Sequence, residues 1–236
     1  MSGTRIFALA GVFAAAMLAG CGGGGGDAGA ASTVSGMAFP LQAGYKALIS
    51  NGYSIDFDVA GSCTGTATQV NEKPVAAIFE GVAGVSVTST QSVSLPGCGS
   101  AVPGTISASA TDYFDAAYAS LGSAIAGDEY GAYQAPASFP VSVKVGDSGS
   151  YGTETLYSDS SKAQATGQAV RTWRVEADTA SSAIGTLTTQ VFHPANQLDY
   201  TQQSRYRMAA DGMLTIVDVD IRYAGTNALH LVLTPK

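Results

Sequence analysis

Apolar and polar residues alternate with period two along most of this chain, and a single stretch follows the spacing of a helix. Ile55, Phe57 and Val59 alternate with Ser54, Asp56 and Asp58, the pattern of a strand with one buried face. Further strands are predicted over 64–70, 75–79, 85–95 and 105–110, most of them rich in Ser and Thr. The alternation then sharpens. Val141, Val143 and Val145 oppose Ser142 and Lys144, Trp173 and Val175 oppose Arg174 and Glu176, and further strands are predicted over 183–192, 200–208, 213–223 and 229–233. The helix is predicted to start at Pro40, with Leu41, Tyr45 and Leu48 on one stripe and Asn51-Gly52 as its stop. The segment 113–126 fits either period, because Phe114, Ala117 and Leu121 also suit a helix face. With closely spaced turn signals and almost no helix, the expected fold is mainly β. It is an antiparallel meander, sandwich or partly open barrel with one short N-terminal helix.

The hairpin around Ala210-Asp211-Gly212-Met213 can be predicted in more detail. A two-residue Asp-Gly loop sets Arg205 opposite Asp218. One face then collects Tyr206, Met208, Val217 and Val219; the other collects Arg205, Arg207, Asp218 and Asp220. A slip of one residue would place the arginines among the valines, so the faces are firmly set. The Arg205, Arg207, Asp218 and Asp220 cluster is a candidate polar ligand site, set against the plainer reading of a solvated ladder of cross-strand pairs.

The first twenty residues do not belong to this sheet. Arg5 is followed by an apolar run, Ile6 to Leu18, and then by Leu18-Ala19-Gly20-Cys21. As a helix the run reaches roughly 20 Å, short of a bilayer core of roughly 30 Å, so a secretion signal is a better reading than a membrane span. The quartet ending in Cys21 resembles the lipobox of bacterial lipoproteins. That resemblance implies a diacylglyceryl group on the Cys21 thiol, cleavage just before it and acylation of the new amine; Gly22 in second place implies the outer membrane. The body resembles uncharacterised exported lipoproteins of Gram-negative bacteria. The expected organisation is a signal peptide over 1–20, a lipidated Cys with a Gly-rich tether over 21–36 and a β-rich domain over 37–236, with a candidate sub-boundary near the Pro-marked stretch 134–140. Five glycines, Gly22 to Gly26, open the tether, and fifteen such residues give a spread of roughly 20 Å.

Composition narrows the partners. The chain carries 11 Lys+Arg against 18 Asp+Glu, for a net charge of −7. Loss of Arg5 with the signal leaves 10 basic against 18 acidic residues, or −8. Without a basic cluster, nucleic acid is not expected as a partner. Hydrophobic residues make up 46%, enough to offset ordering entropy, so the body is expected to fold. With Cys21 lipidated, Cys63 and Cys98 remain as an even pair in an oxidising compartment, each in a turn-like setting. A disulfide is expected, which would limit the unfolded ensemble by roughly 3–4 kcal/mol.

Catalytic constellations are sparse. Gly146-Asp147-Ser148-Gly149 looks like the nucleophile motif of chymotrypsin-type proteases, but that family's histidine lies upstream, whereas His193 and His230 are both downstream. The same tetrapeptide suits a tight strand connection. No HExxH or CxxC pattern occurs, and Asp56/Asp58 and Asp218/Asp220 are read as solvated strand faces, so no metal and no cofactor are expected. The expected role is a non-catalytic envelope lipoprotein of the outer membrane, partnered by the membrane through its lipid and by an envelope component of unknown identity. The alternatives are a carrier of an apolar ligand and a hydrolase using Ser148.

Overall fold

A computed structural model describes residues 36–101, 105–225 and 228–236. The signal, Cys21 and the glycine run lie outside the described residues. The predicted helix forms over Leu41–Asn51 (α1), burying Leu41, Gly44, Tyr45, Leu48 and Ile49, which recur at one helical face. Gly52 ends it at a φ of +63°, a conformation glycine adopts without strain.

Thirteen strands follow among the described residues: β1 (Tyr53–Gly61), β2 (Gly65–Asn71), β3 (Val75–Phe79), β4 (Val82–Ser94), β5 (Thr105–Asp115), β6 (Ser120–Ile125), β7 (Glu129–Ala137), β8 (Ser148–Tyr157), β9 (Ala165–Ala177), β10 (Ser182–His193), β11 (Gln197–Ala209), β12 (Leu214–Tyr223) and β13 (His230–Pro235). They form one antiparallel sheet in which β2 pairs directly with β4, and β13 returns to β1 from Phe57↔Pro235 to Gly61↔Leu231. Twelve strands therefore close into a barrel, with β3 left outside the cycle as an extension along β4. Closure removes the edges that an open meander would leave unpaired.

One local ambiguity is resolved and two expectations are corrected. Segment 113–126 is strand, not helix: it completes β5, turns, and forms β6. The alternating valines at 141–145 do not make a strand. Val143 forms one isolated bridge with Phe39, and Val141 is exposed, because the segment closes the barrel mouth beside the chain entering α1. In β12 the register runs from Met208↔Leu214 to Tyr206↔Ile216 and then shifts by one residue, restoring Arg205↔Asp218. Leu214 and Ile216 thus take buried places, and Val217 leaves the inner face. A bulge reverses parity where plain alternation cannot see it. The stretch 134–140 carries the chain from β7 towards β8, two neighbours in the same sheet.

The wall is polarised. Many outward positions on β2, β4 and β5 are hydroxyls, with Thr66, Ser94 and Thr105 side by side and Thr68, Ser92 and Ser107 in the next row. On β9, β11 and β12 they include the charged Arg174, Arg205, Arg207 and Asp218, while β10 between them presents Ile184, Thr186, Thr188 and Gln190. Inward positions bury Phe57, Met208, Val219, Ile221 and Leu233. A barrel that spans a membrane turns apolar residues outward and polar ones inward; here the polarity suits water outside. The two ends also differ. α1 covers one, packing by Gly44 and Leu41 near the β11–β12 turn and by Tyr45 against Phe139 (ring centroids 4.9 Å apart). At the other, Cys63 after β1 and Cys98 in the 3-10 turn Pro96–Ala101 form the expected disulfide, with Cα atoms 4.9 Å apart.

Candidate functional site

Inside the barrel, the register of five strands gathers ionisable groups. Asp112 (β5), Ser123 (β6) and Gly131 (β7) form one row, and Tyr133 (β7), Glu154 (β8) and Ala169 (β9) form the next. Arg171 follows two residues along β9, with Thr189 of β10 beside it. The Arg171 guanidinium donates to Glu154 Oε2 at 2.7 Å and to the Tyr133 hydroxyl, over whose ring it lies. Ser123 donates to Glu154 Oε1 at 2.8 Å. The Arg171 and Glu154 side chains are 8% and 2% exposed. Gly131 makes this possible: a Cβ there would come within 2.2 Å of Glu154 Oε1, so a side chain would take the carboxylate's place.

Asp112 sits beside this pair with no hydrogen bond or ion pair of its own, 5% exposed. Burial, and then repulsion from Glu154, push its carboxyl up to about 7, against a smaller opposing pull from Arg171. Towards α1, Tyr151 shares a 2.5 Å hydrogen bond with Ser120, and its ring meets those of Tyr45 and Phe139. Burial drives the phenols of Tyr45, Tyr53 and Tyr133 well above their ordinary value, so they serve as neutral hydroxyls. The network can hold a proton at Asp112 and fix a charge pair. Beside it lies a cavity of about 20 Å³ lined by Ser123, Glu154, Arg171, Thr189, Tyr200 and Gln202, room for about one water. The neighbouring apolar cavity, between Leu41, Tyr45, Trp173 and Leu187, is also about 20 Å³, far below the roughly 300–1,000 Å³ of a small-molecule site.

The residues named from sequence are placed elsewhere. Arg205 and Asp218 do meet, at 2.7 Å, but Arg207 turns to Asp178 (2.7 Å), and Asp220 bonds Arg222 and His230. The predicted cluster divides on the outer wall into two pairs, Arg205–Asp218 and Arg207–Asp178, and a trio of Asp220, Arg222 and His230. Ser148 opens β8 on the outer wall, exposed and opposite Arg174, while His193 and His230 lie at the disulfide end with Asp199 and Asp220 as partners. Asp147 accepts from the Lys144 N–H at 2.7 Å, so Gly146-Asp147 makes the tight connection. Among the described residues, no three His, Cys, Asp or Glu side chains converge as a metal site.

Asp112, Glu154 and Arg171 were missed by the sequence reading, although a signal existed. Each shares strand parity with buried neighbours: Asp112 with Ala110 and Phe114, Glu154 with Leu156, Arg171 with Ala169 and Val175. A charge on the apolar parity of a strand marks a buried group.

No protein-family model, no curated protein and no solved structure matches the chain.

Proposed function

We propose that this chain is a lipid-anchored lipoprotein of the outer membrane whose barrel acts as a non-catalytic binding or structural module. The observation that carries the proposal is the order of parts: Leu18-Ala19-Gly20-Cys21, then a glycine-rich run, then a chain that enters the barrel at residue 36 beside α1. Several acyl chains on Cys21, each buried methylene worth about 0.8 kcal/mol, would make release negligible.

The charged and hydroxyl-bearing outer wall supports a body that stands in water, and interior cavities of about 20 Å³ favour an outer binding surface over carriage of a ligand in the lumen. An open groove of about 800 Å³ between α1 and the β11–β12 turn, lined by Ala43, Ala47, Leu48 and Met213, supports the binding role. The test is Cys21→Ser. The unsubstituted chain should partition with membranes and show an acylated N-terminal Cys21 by mass spectrometry, and the variant should lose the acyl mass and appear in the soluble fraction. An unmodified N-terminus at any other residue overturns the proposal.

A further inference from the structure

β3 is the one strand among the described residues with a free edge. Closure gives the other twelve a partner on each side, whereas β3 pairs only with β4. Four of the seven large apolar side chains exposed on the described surface, Val70, Val75, Ile78 and Val82, belong to β3 and to the parts of β2 and β4 that flank it. Val75 is 62% and Ile78 74% exposed. No charge interrupts Val75–Phe79, and Pro74 stands only at its start, so the strand lacks the charged or bulged defences that edges ordinarily carry.

Side chains on neighbouring strands also hold the edge in place. The Phe79 ring stacks on Tyr130 with centroids 5.3 Å apart and lies 4.6 Å from Tyr113. Glu80 at the tip accepts from the Tyr130 hydroxyl and pairs with Lys162. Glu80 and Gly81 both have positive φ, 50° and 81°, as a two-residue hairpin turn with right-handed twist requires. In such a hairpin the flanking pair, Phe79 and Val82, exchanges hydrogen bonds, and so do alternate pairs beyond it. Val75 and Ala77 therefore bond to β4, and the N–H and C=O groups of Ala76 and Ile78 point to the free edge.

We propose that β3 pairs edge to edge with β3 of a second copy of this chain, antiparallel about a two-fold axis through Ala77. That register sets Ala76 against the partner's Ile78 and Ile78 against the partner's Ala76, satisfying every outward group and packing a large side chain over a small one. Centring on Ala76 would oppose Ile78 with Pro74, which has no N–H, and centring on Ile78 would oppose Ala76 with Glu80 of the turn. The register also brings Lys73, which makes no ion pair among the described residues, beside the partner's Glu80. With one edge per barrel, the contact is isologous and assembly stops at two copies.

The test is Ala77→Cys in the whole chain, exported with its own N-terminal segment. The two-fold axis makes Ala77 and the partner's Ala77 a non-hydrogen-bonded pair with Cα atoms about 4.5 Å apart, within the range a disulfide spans. Mild oxidation should convert Ala77→Cys to a species of twice the mass on a non-reducing gel. Thr90→Cys, outward on the neighbouring β4, should stay monomeric, and adding Ile78→Lys to Ala77→Cys should abolish the cross-link. Cross-linking no greater than that of Thr90→Cys overturns the proposal, as does an adduct with the mass of a different protein. Sedimentation of the unsubstituted chain gives a dimer if the pairing holds and a monomer if it does not. Each result stands whether or not Cys21 is acylated.

Discussion

The lumen of this barrel has two unlike halves behind one continuous wall. Beneath β1, β12 and β13, Phe57, Val219, Ile221 and Leu233 fill the space with carbon. Beneath β5 to β9, Asp112, Glu154, Arg171 and Tyr133 occupy equivalent inward positions. The first half stabilises by area removed from water, about 25 cal/mol per Å², and tolerates many apolar choices of similar volume. The second stabilises only while each charge keeps its partner, because a lone buried charge costs several kcal/mol. Apolar packing is forgiving of identity and the ionic half is not. Glu154 needs both Ser123 and Arg171, and so it constrains which strands stand beside it.

Substitutions can separate the two halves. Phe57→Ala, at a fully buried ring, should cost about 3–5 kcal/mol in denaturant unfolding. No second change on the ionic side should recover it. Arg171→Leu should cost a comparable amount, because it strands Glu154. Here the double variant Arg171→Leu with Glu154→Leu should recover most of the loss, since an apolar pair of similar volume replaces an ion pair at little cost. Failure of that rescue would show that the two halves obey the same rule.

Asp112→Asn should have an effect of opposite sign that is absent in acid and grows with pH. The folded carboxyl titrates at about 7, above its ordinary 3.8, so the folded protein holds a proton that the unfolded chain releases. The stabilisation from that proton is complete below the unfolded value and is lost as pH rises through 7. The variant should match the unsubstituted chain in acid and become progressively more stable than it between about pH 4 and 7, by about 1.4 kcal/mol per unit, and no further above that. Parallel pH profiles for the two chains would place Asp112 in a wetter setting than its burial implies.

Much of the wall was legible in the residues. Period two found β1, β3, β10 and β11, and the stripe Leu41, Tyr45, Leu48 found α1 with its Gly52 stop, since both signals are local. Local parity failed where distant chain intervened. The valines at 141–145 alternate like a strand yet make one isolated bridge, Val143 with Phe39, and a bulge beside Arg205 exchanges Val217 for Ile216. The outer Arg and Asp residues drew attention because they cluster along the sequence, but in space they disperse into separate pairs. The buried charges did the opposite. Asp112, Glu154 and Arg171 are far apart along the chain, and each looks ordinary in its own strand.

Sequence alone determined that this chain makes strands, which face of most of them is wet, where the one helix starts and stops, and that two of its cysteines are a pair. Those properties depend on residues within a few places of one another. Tertiary structure decided that β13 closes on β1, that β3 is left with an open edge, and that a carboxyl, a carboxylate and a guanidinium from three strands share one buried interior. Closure and burial depend on the register between segments up to the length of the chain apart, which no local pattern encodes.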